Sequence, residues 1–142
     1  MFYTGHYRHS LDAKGRLIVP SRLRDALEGS EVNLTVWSDG CISLWNGVHW
    51  ERFGNQLLAQ EKKDPVKREA NRKLFASTFT DEVDKQGRIT IPAHLRGFAG
   101  IDRDVAIVGN GDHIEIWDPA KYEARYGTPE KGFDEVFAAL DL

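Results

Sequence analysis

LDAKGRLIVPSRLR at residues 11–24 and VDKQGRITIPAHLR at residues 83–96 are one phrase written twice in a chain of 142 residues. An ungapped offset of 72 residues pairs Asp12 with Asp84, Gly15 with Gly87, Arg16 with Arg88, Pro20 with Pro92, Leu23 with Leu95 and Arg24 with Arg96. The same offset runs on past the phrase, matching Val36 with Val108, Ile42 with Ile114, Trp45 with Trp117 and Glu51 with Glu123. Near matches fill the intervals, among them Tyr3 with Phe75, Tyr7 with Phe79, Leu17 with Ile89 and Trp50 with Tyr122. Chance does not hold one register over about fifty positions. The chain is a tandem duplication, and two copies point to a pseudo-twofold domain, because a solenoid needs at least three.

Each copy has the same local pattern. Residues 3–11 and 75–83 alternate loosely and predict an opening strand. The polar tetrads AKGR and KQGR turn the chain, with Gly15 and Gly87 where a left-handed backbone costs little. LIVP and ITIP follow as β-branched runs, each ended by a proline that cannot serve a central ladder. Ser21 is placed to cap a short helix through Leu27, and Ala93 starts its counterpart. VNLTVW-SDG-CISLW and VAIVG-NGD-HIEIW predict hairpins, with Asp39-Gly40 and Asn110-Gly111 as turn dipeptides. Asn46 and Asp118 precede helical stretches, and Pro119 suits a first helical turn. Residues 51–72 are charged and helical, split by Pro65. Phe133, Val136, Phe137 and Leu140 have helical spacing in the tail.

Each copy offers about four short strands and too little apolar material for a core of its own. The expected fold is mainly β with short helices (α+β), the two copies burying each other's apolar faces in one barrel or sandwich. The expected divisions are a first repeat at 1–53, a helical connector at 54–74, a second repeat at 75–126 and an acidic amphipathic tail at 127–142.

Composition narrows the classes of function. Hydrophobic residues at 41% and charged residues at 29% describe a globular chain. No apolar run reaches the roughly 18 residues a membrane span needs, and MFYTGHYRHS has no signal-peptide core, so a cytoplasmic protein is expected. The lone Cys41 excludes an internal disulfide and any CxxC pair, and its place between a turn and an apolar run predicts a buried thiol. A net charge of −3 argues against indiscriminate coating of nucleic acid. Yet residues 1–24 carry Arg8, Lys14, Arg16, Arg22 and Arg24 against Asp12 alone, while residues 129–142 set Lys131 against Glu130, Asp134, Glu135 and Asp141. One face can therefore attract a polyanion while the whole chain stays acidic.

The repeated Asp-x-x-Gly-Arg phrase is the chemistry to explain. As structure, the carboxylate of Asp12 or Asp84 accepts backbone N–H groups in its loop, and Arg16 or Arg88 folds back onto it. A guanidinium oriented in this way is also a rigid fork, suited to a phosphate or a guanine edge. The copies diverge in charge. Lys14, Ser21 and Arg22 become Gln86, Ala93 and His94, Arg8 becomes Thr80, and His9 and Ser10 become Asp81 and Glu82. The first copy is the basic one, so Arg16, Lys14, Arg8, Arg22, Arg24 and His9 are the candidate DNA contacts. Asp12, Gly15, Asp84, Gly87 and Arg88 form the structural set, with the second copy expected to act as scaffold.

Other constellations are weaker. His6 and His9 stand at i and i+3 on a strand, which separates their faces and disfavours a metal site. Ser10 beside His9 makes no triad, since triads are set by geometry rather than adjacency. GNGD at residues 109–112 lacks the GK[ST] ending of a phosphate loop. Of the four tryptophans, Trp45 and Trp117 end matched strands and read as core, while Trp37 and Trp50 stay open between core and base stacking. No metal or cofactor is expected.

The two phrases, the start MFYTG and VGNGDHIEIWD together resemble the MraZ family of bacterial transcriptional regulators, which carry two SpoVT-AbrB-like domains per chain. The likeness covers roughly residues 1–126. It implies a swapped-hairpin β-barrel, assembly of chains into rings, and sequence-specific binding to direct repeats upstream of the division and cell-wall gene cluster, usually as a repressor. It places the DxxxR motif on Asp12 with Arg16 and Asp84 with Arg88, and the DNA-contacting arginine on Arg16. The start departs from the M-F-x-G pattern by one residue at Tyr3-Thr4-Gly5, which lengthens the first strand. A nucleoid-associated homo-oligomer whose partner is double-stranded promoter DNA is expected. Alternatives are an AbrB-type antidote or transition-state regulator, disfavoured by the in-chain duplication, and a small barrel enzyme, disfavoured by the lack of a cofactor loop or cleft-forming insertion.

Overall fold

The computed structural model describes every residue except Met1, Glu28, Pro129 and Lys131. The first copy supplies β1 (His6–Ser10), β2 (Arg16–Ile18), α1 (Ser21–Asp25), β3 (Glu31–Val36) and β4 (Ile42–Asn46), followed by α2 (Gly47–Gln60) and α3 (Pro65–Ser77). The second supplies β5 (Phe79–Glu82), β6 (Arg88–Thr90), α4 (Ala93–Ala99), β7 (Asp104–Asn110), β8 (His113–Trp117), α5 (Pro119–Tyr126) and the tail helix α6 (Phe133–Ala139).

The copies interlock. A six-stranded antiparallel sheet runs β1-β7-β8-β4-β3-β5, and β2 pairs with β6 in a separate ribbon. The first strand of copy one therefore lies on the hairpin of copy two, from His6↔Val108 to Ser10↔Asp104. The first strand of copy two lies on the hairpin of copy one, from Glu31↔Glu82 to Leu34↔Phe79. The pseudo-twofold passes between β4 and β8, which pair as Ile42↔Ile116 and Leu44↔Ile114. Neither copy closes a core alone. One buried cluster takes Leu17, Leu23, Leu34 and Leu44 from the first and Ile89, Ile91, Leu95 and Ile107 from the second. This is the mainly antiparallel, two-repeat α+β fold with a shared core that the repeat predicts, and its exchanged hairpins are those the family resemblance implies.

Local details adjust the sequence reading. The opening strands are shorter than 3–11 and 75–83. Tyr3 makes a single bridge to Gly111, and Phe75 belongs to α3, where its ring meets Trp50 edge-on at 6.0 Å. The helix continues through Phe75 because nothing in KREANRKLFAS breaks it once Asp64 caps Val66 and Lys67 N–H at 3.1 Å. Ser21 does not cap α1: Pro20 occupies that position, no side chain caps the end, and the helix stops at Asp25. The second hairpin turns on Gly111-Asp112, since Asn110 pairs with His113. Asn46 caps α2 by accepting from His49 N–H at 2.7 Å, and Asp118 caps α5 by accepting from Lys121 N–H at 3.1 Å. Pro65 splits the connector at the first turn of α3. Buried Asn71 then ties α3 to α2, donating to Leu57 C=O at 2.7 Å and Glu61 Oε2 at 2.8 Å.

Candidate nucleic-acid interface

The two Asp-x-x-Gly-Arg turns are near copies in space. Asp12 Oδ1 accepts from Lys14 N–H and Arg16 N–H at 2.9 Å, and its Oδ2 accepts from Arg16 Nε at 2.7 Å. Asp84 does the same with Gln86 N–H and Arg88 N–H at 2.9 Å and with Arg88 Nε at 2.8 Å. Gly15 N–H and Gly87 N–H donate back to Asp12 C=O and Asp84 C=O at 3.0 Å. The backbone N–H of the arginine and its guanidinium hold both carboxyls below the ordinary aspartate range. Each aspartate occupies only the Nε side of its arginine. Among the described residues the terminal Nη groups of Arg16 and Arg88 carry no hydrogen bond, so they remain available in a fixed orientation.

The ribbon brings both forks to one surface. Arg16 pairs with Thr90, Leu17 with Ile89 and Ile18 with Arg88. Leu17 and Ile89 are buried, so strand alternation turns Arg16, Ile18, Arg88 and Thr90 outward together. Arg16 and Arg88 are diagonal neighbours on this face, their Cα atoms roughly 7–8 Å apart. The DNA major groove, about 12 Å wide, is large enough to admit a two-stranded ribbon.

The turns are supported across the pseudo-twofold. Val19 N–H donates to Gly87 C=O, and Ile91 N–H donates to Gly15 C=O, each at 2.9 Å. Arg24 of the first copy lies over Gly87 of the second, where a side-chain carbon would overlap its guanidinium. Arg96 of the second copy lies over Gly15 of the first, 3.3 Å from where a β-carbon would stand. The absence of a side chain at Gly15 and Gly87 thus leaves room for an arginine as well as for a positive φ of 75° and 78°. A cleft of about 510 Å³ beside the first turn is lined by Leu11, Asp12, Ala13, Arg96, Asp102 and Arg103.

The other sequence-predicted contacts are spread out. Lys14 is exposed on the first turn, and Arg22 lies on α1. Arg8 leans toward α5, with Nη1 3.7 Å from Glu123 Oε1. On the same face of β1, His6 packs edge-on against Tyr122 at 4.9 Å. His9 lies on the opposite face, half-buried beside Ser10, whose hydroxyl donates to Asp104 at 2.9 Å.

Sequence reasoning missed Arg96 and Arg103 as neighbours of the first turn. The signal existed in the pairing of Arg24 with Arg96, but only the exchange of hairpins shows which turn each serves. It also missed a polar cluster beneath the sheet. Buried Glu115 accepts from Trp117 Nε1 at 3.0 Å and Asn110 Nδ2 at 2.9 Å, and its Oε2 lies 3.2 Å from His113 Nε2. Burial pushes His113 down, but hydrogen bonds with Glu115 and Asp112 outweigh it and hold the imidazole above its ordinary value. The imidazole stacks on Trp45 at 4.6 Å. Trp37 and Trp50 pack into the same aromatic group through Trp45 and Phe53, which gives both a packing role. Cys41 is buried, its thiol pushed up to about 12 by burial and by Glu115.

The family model described as "MraZ protein, putative antitoxin-like" matches residues 2–73 and again 74–141. The chain belongs to the MraZ family. A transcriptional regulator MraZ of Mycoplasmoides gallisepticum is 37% identical over 139 residues, covering 98% of this chain and 97% of its own. The counterpart in Acetivibrio thermocellus is 42% identical over 96% of this chain and 94% of its own. That of Lachnoclostridium phytofermentans is 43% identical over 86% and 85%. MraZ relatives thus match along nearly the whole length, and the chain is a transcriptional regulator of this family. No helix among the described residues is long and apolar enough to cross a membrane.

Proposed function

We propose that this chain binds double-stranded promoter DNA by setting the β2–β6 ribbon into the major groove. Arg16 reads base edges, and Lys14, Arg22 and Arg24 take phosphates. The observation that carries this reading is the pair of aspartate-locked forks, Arg16 and Arg88, on one exposed ribbon face. A fork held from behind by a carboxylate loses little conformational entropy on contact and presents two donors in a plane. The first turn leads because Lys14 stands where the second has Gln86. Arg88 sits close enough to join from the scaffold side, while Arg8 and His9, on opposite faces of β1, are secondary candidate contacts.

A single small ribbon makes few phosphate contacts and binds weakly, with strong dependence on salt. Several copies in a ring facing direct repeats raise the affinity through effective concentration, by about 10² or more. Head-to-tail assembly favours direct repeats over palindromes. By the family resemblance the target is the protein's own upstream promoter in the division and cell-wall gene cluster, the effect is repression, and the place is the nucleoid in the cytoplasm.

The test is a mobility-shift titration of that promoter with wild type and Arg16→Ala. A bidentate arginine contact contributes about 1–3 kcal/mol, so the variant should bind about 5- to 150-fold more weakly. Unchanged retardation would remove the central claim.

A further inference from the structure

The tail helix α6 buries none of its residues in its own chain. Phe133, Val136, Phe137 and Leu140, at i, i+3, i+4 and i+7, are 54%, 43%, 63% and 54% exposed. Phe133, Val136 and Phe137 share one stripe of this short helix and Leu140 follows at its extended C-cap, and apolar side chains so exposed are not stable in water without a partner surface. The stripe is bordered by Asp134, Glu135 and Asp141. Its contact with its own chain is a shallow hollow of about 230 Å³ formed with Tyr122 and Tyr126 of α5, which leaves Phe137 and Leu140 outside.

A groove of matching character lies where α3, α4 and the end of β3 meet. Val36, Ala70, Lys73, Leu74, Ser77 and Phe98 line a volume of about 430 Å³. A second hollow of about 300 Å³ adjoins it through the shared Val36 and Leu74. Phe98 is 45% exposed at its rim. Ala70, Lys73, Leu74 and Ser77 sit at i, i+3, i+4 and i+7 on α3, a stripe long enough to take the Phe133, Val136 and Phe137 stripe of the tail helix. The groove carries the opposite charge. Its lining holds Lys73 and no carboxylate among the described residues, and Lys67 extends the same face one turn back. On α3, Lys67, Arg68, Arg72 and Lys73 stand against Glu69 alone, which pairs with Arg72 at 3.2 Å.

Building on the head-to-tail association proposed above, we propose that α6 of one copy docks in the α3–α4–β3 groove of the next. Phe137 and Leu140 enter beside Leu74 and Phe98, and Asp134 and Glu135 face Lys73 and Lys67. This is a helix laid in a groove. The two surfaces differ and sit on the same chain, so the contact is heterologous and propagates from copy to copy until it closes.

Two variants of the full chain that each add one cysteine test this, Leu74→Cys and Phe137→Cys, both at exposed or half-exposed positions that the fold tolerates. Native Cys41 is buried with its thiol pushed up to about 12, and does not compete. Under mild oxidation a mixture of the two variants should form a disulfide-linked dimer at least about tenfold faster than either variant alone, reflecting the effective concentration within an interface. No acceleration in the mixture would overturn the proposal. So would a Leu74→Cys/Phe137→Cys double variant that closes its disulfide within one chain, since the tail would then cover its own groove. Size-exclusion chromatography with light scattering on Arg16→Ala separates this from DNA recognition. Loss of DNA retardation with the assembly intact touches only the DNA contact, and Phe137→Asp should shrink the assembly while leaving the Arg16 fork in place.

Discussion

Gly109 and Gly87 are both crowded, by different things. A β-carbon on Gly109 would overlap the backbone of Tyr3 and Thr4, which cannot withdraw without breaking the Tyr3–Gly111 bridge. That bridge holds N–H to C=O distances of 2.8 and 3.1 Å, and the buried Tyr3 hydroxyl donates to Ala26 C=O at 3.0 Å. A β-carbon on Gly87 meets instead the far end of Arg24, a flexible side chain that can swing away, leaving mainly the positive-φ strain. Gly109→Ala should therefore cost about 2–3 kcal/mol by overpacking. Gly87→Ala should cost about 1–2 kcal/mol from the left-handed backbone. Urea unfolding curves of the two variants check the order, and a larger loss at Gly87 would mean that Arg24 is locked in place. The same contrast shows why residues that look alike in the sequence act differently: each glycine's neighbour comes from the other copy.

At the scale of the element, the β2–β6 ribbon is symmetric in geometry and asymmetric in charge. The aspartates grip their arginines at nearly equal distances, 2.7 and 2.8 Å, yet the first turn exposes Lys14 where the second exposes Gln86. Each phosphate contact adds about 0.9 to the slope of log affinity against log salt. Lys14→Gln should lower that slope by about one per bound subunit, while Gln86→Ala leaves it unchanged. A salt titration of DNA affinity reads both, and equal slopes for wild type and Lys14→Gln would remove the asymmetry. The ribbon also marks where the sequence was legible. Period-two alternation, turn glycines and prolines revealed the strands, the hairpins and the capped helices from Asn46 and Asp118, because these are local signals. The offset of 72 residues also exposed the shared core. The placing of Arg96 over Gly15 was not legible, because it depends on the exchange of hairpins and not on any neighbour in the chain. His113 and Glu115 alternate with Ile114 and Ile116 along β8, and that alternation does not show that both faces of the strand are buried. His113 and Glu115 are buried because Trp45 and Trp37 of the first hairpin pack against His113, a contact made by distant elements, while Trp117 of the same strand donates to Glu115.

The whole molecule is two incomplete halves. β1 forms its strand pairing with β7, β2 with β6, and β5 with β3, so each of these pairings crosses the boundary between copies. Leu17 of one half faces Ile89 of the other across the ribbon, both almost fully buried. Residues 1–73, taken alone, lose the partners of β1 and β2 and expose the inner face of the β3–β4 hairpin. Residues 74–142 lose the partners of β5 and β6 and expose β7–β8 in the same way. A lone half of about 70 residues buries too small a fraction of its surface to hold such a fold without a partner. The full chain should therefore unfold in one cooperative step, with tryptophan fluorescence and far-ultraviolet circular dichroism giving coincident curves. Each half expressed separately should remain largely unfolded as a monomer. Mixing the two at equal concentration should restore the strand signal in a reaction whose rate depends on concentration, because association and folding are then one event. Two resolved unfolding transitions, or a monomeric half with the full strand spectrum, would show that the copies are independent domains and that the exchange of hairpins is not what holds the fold.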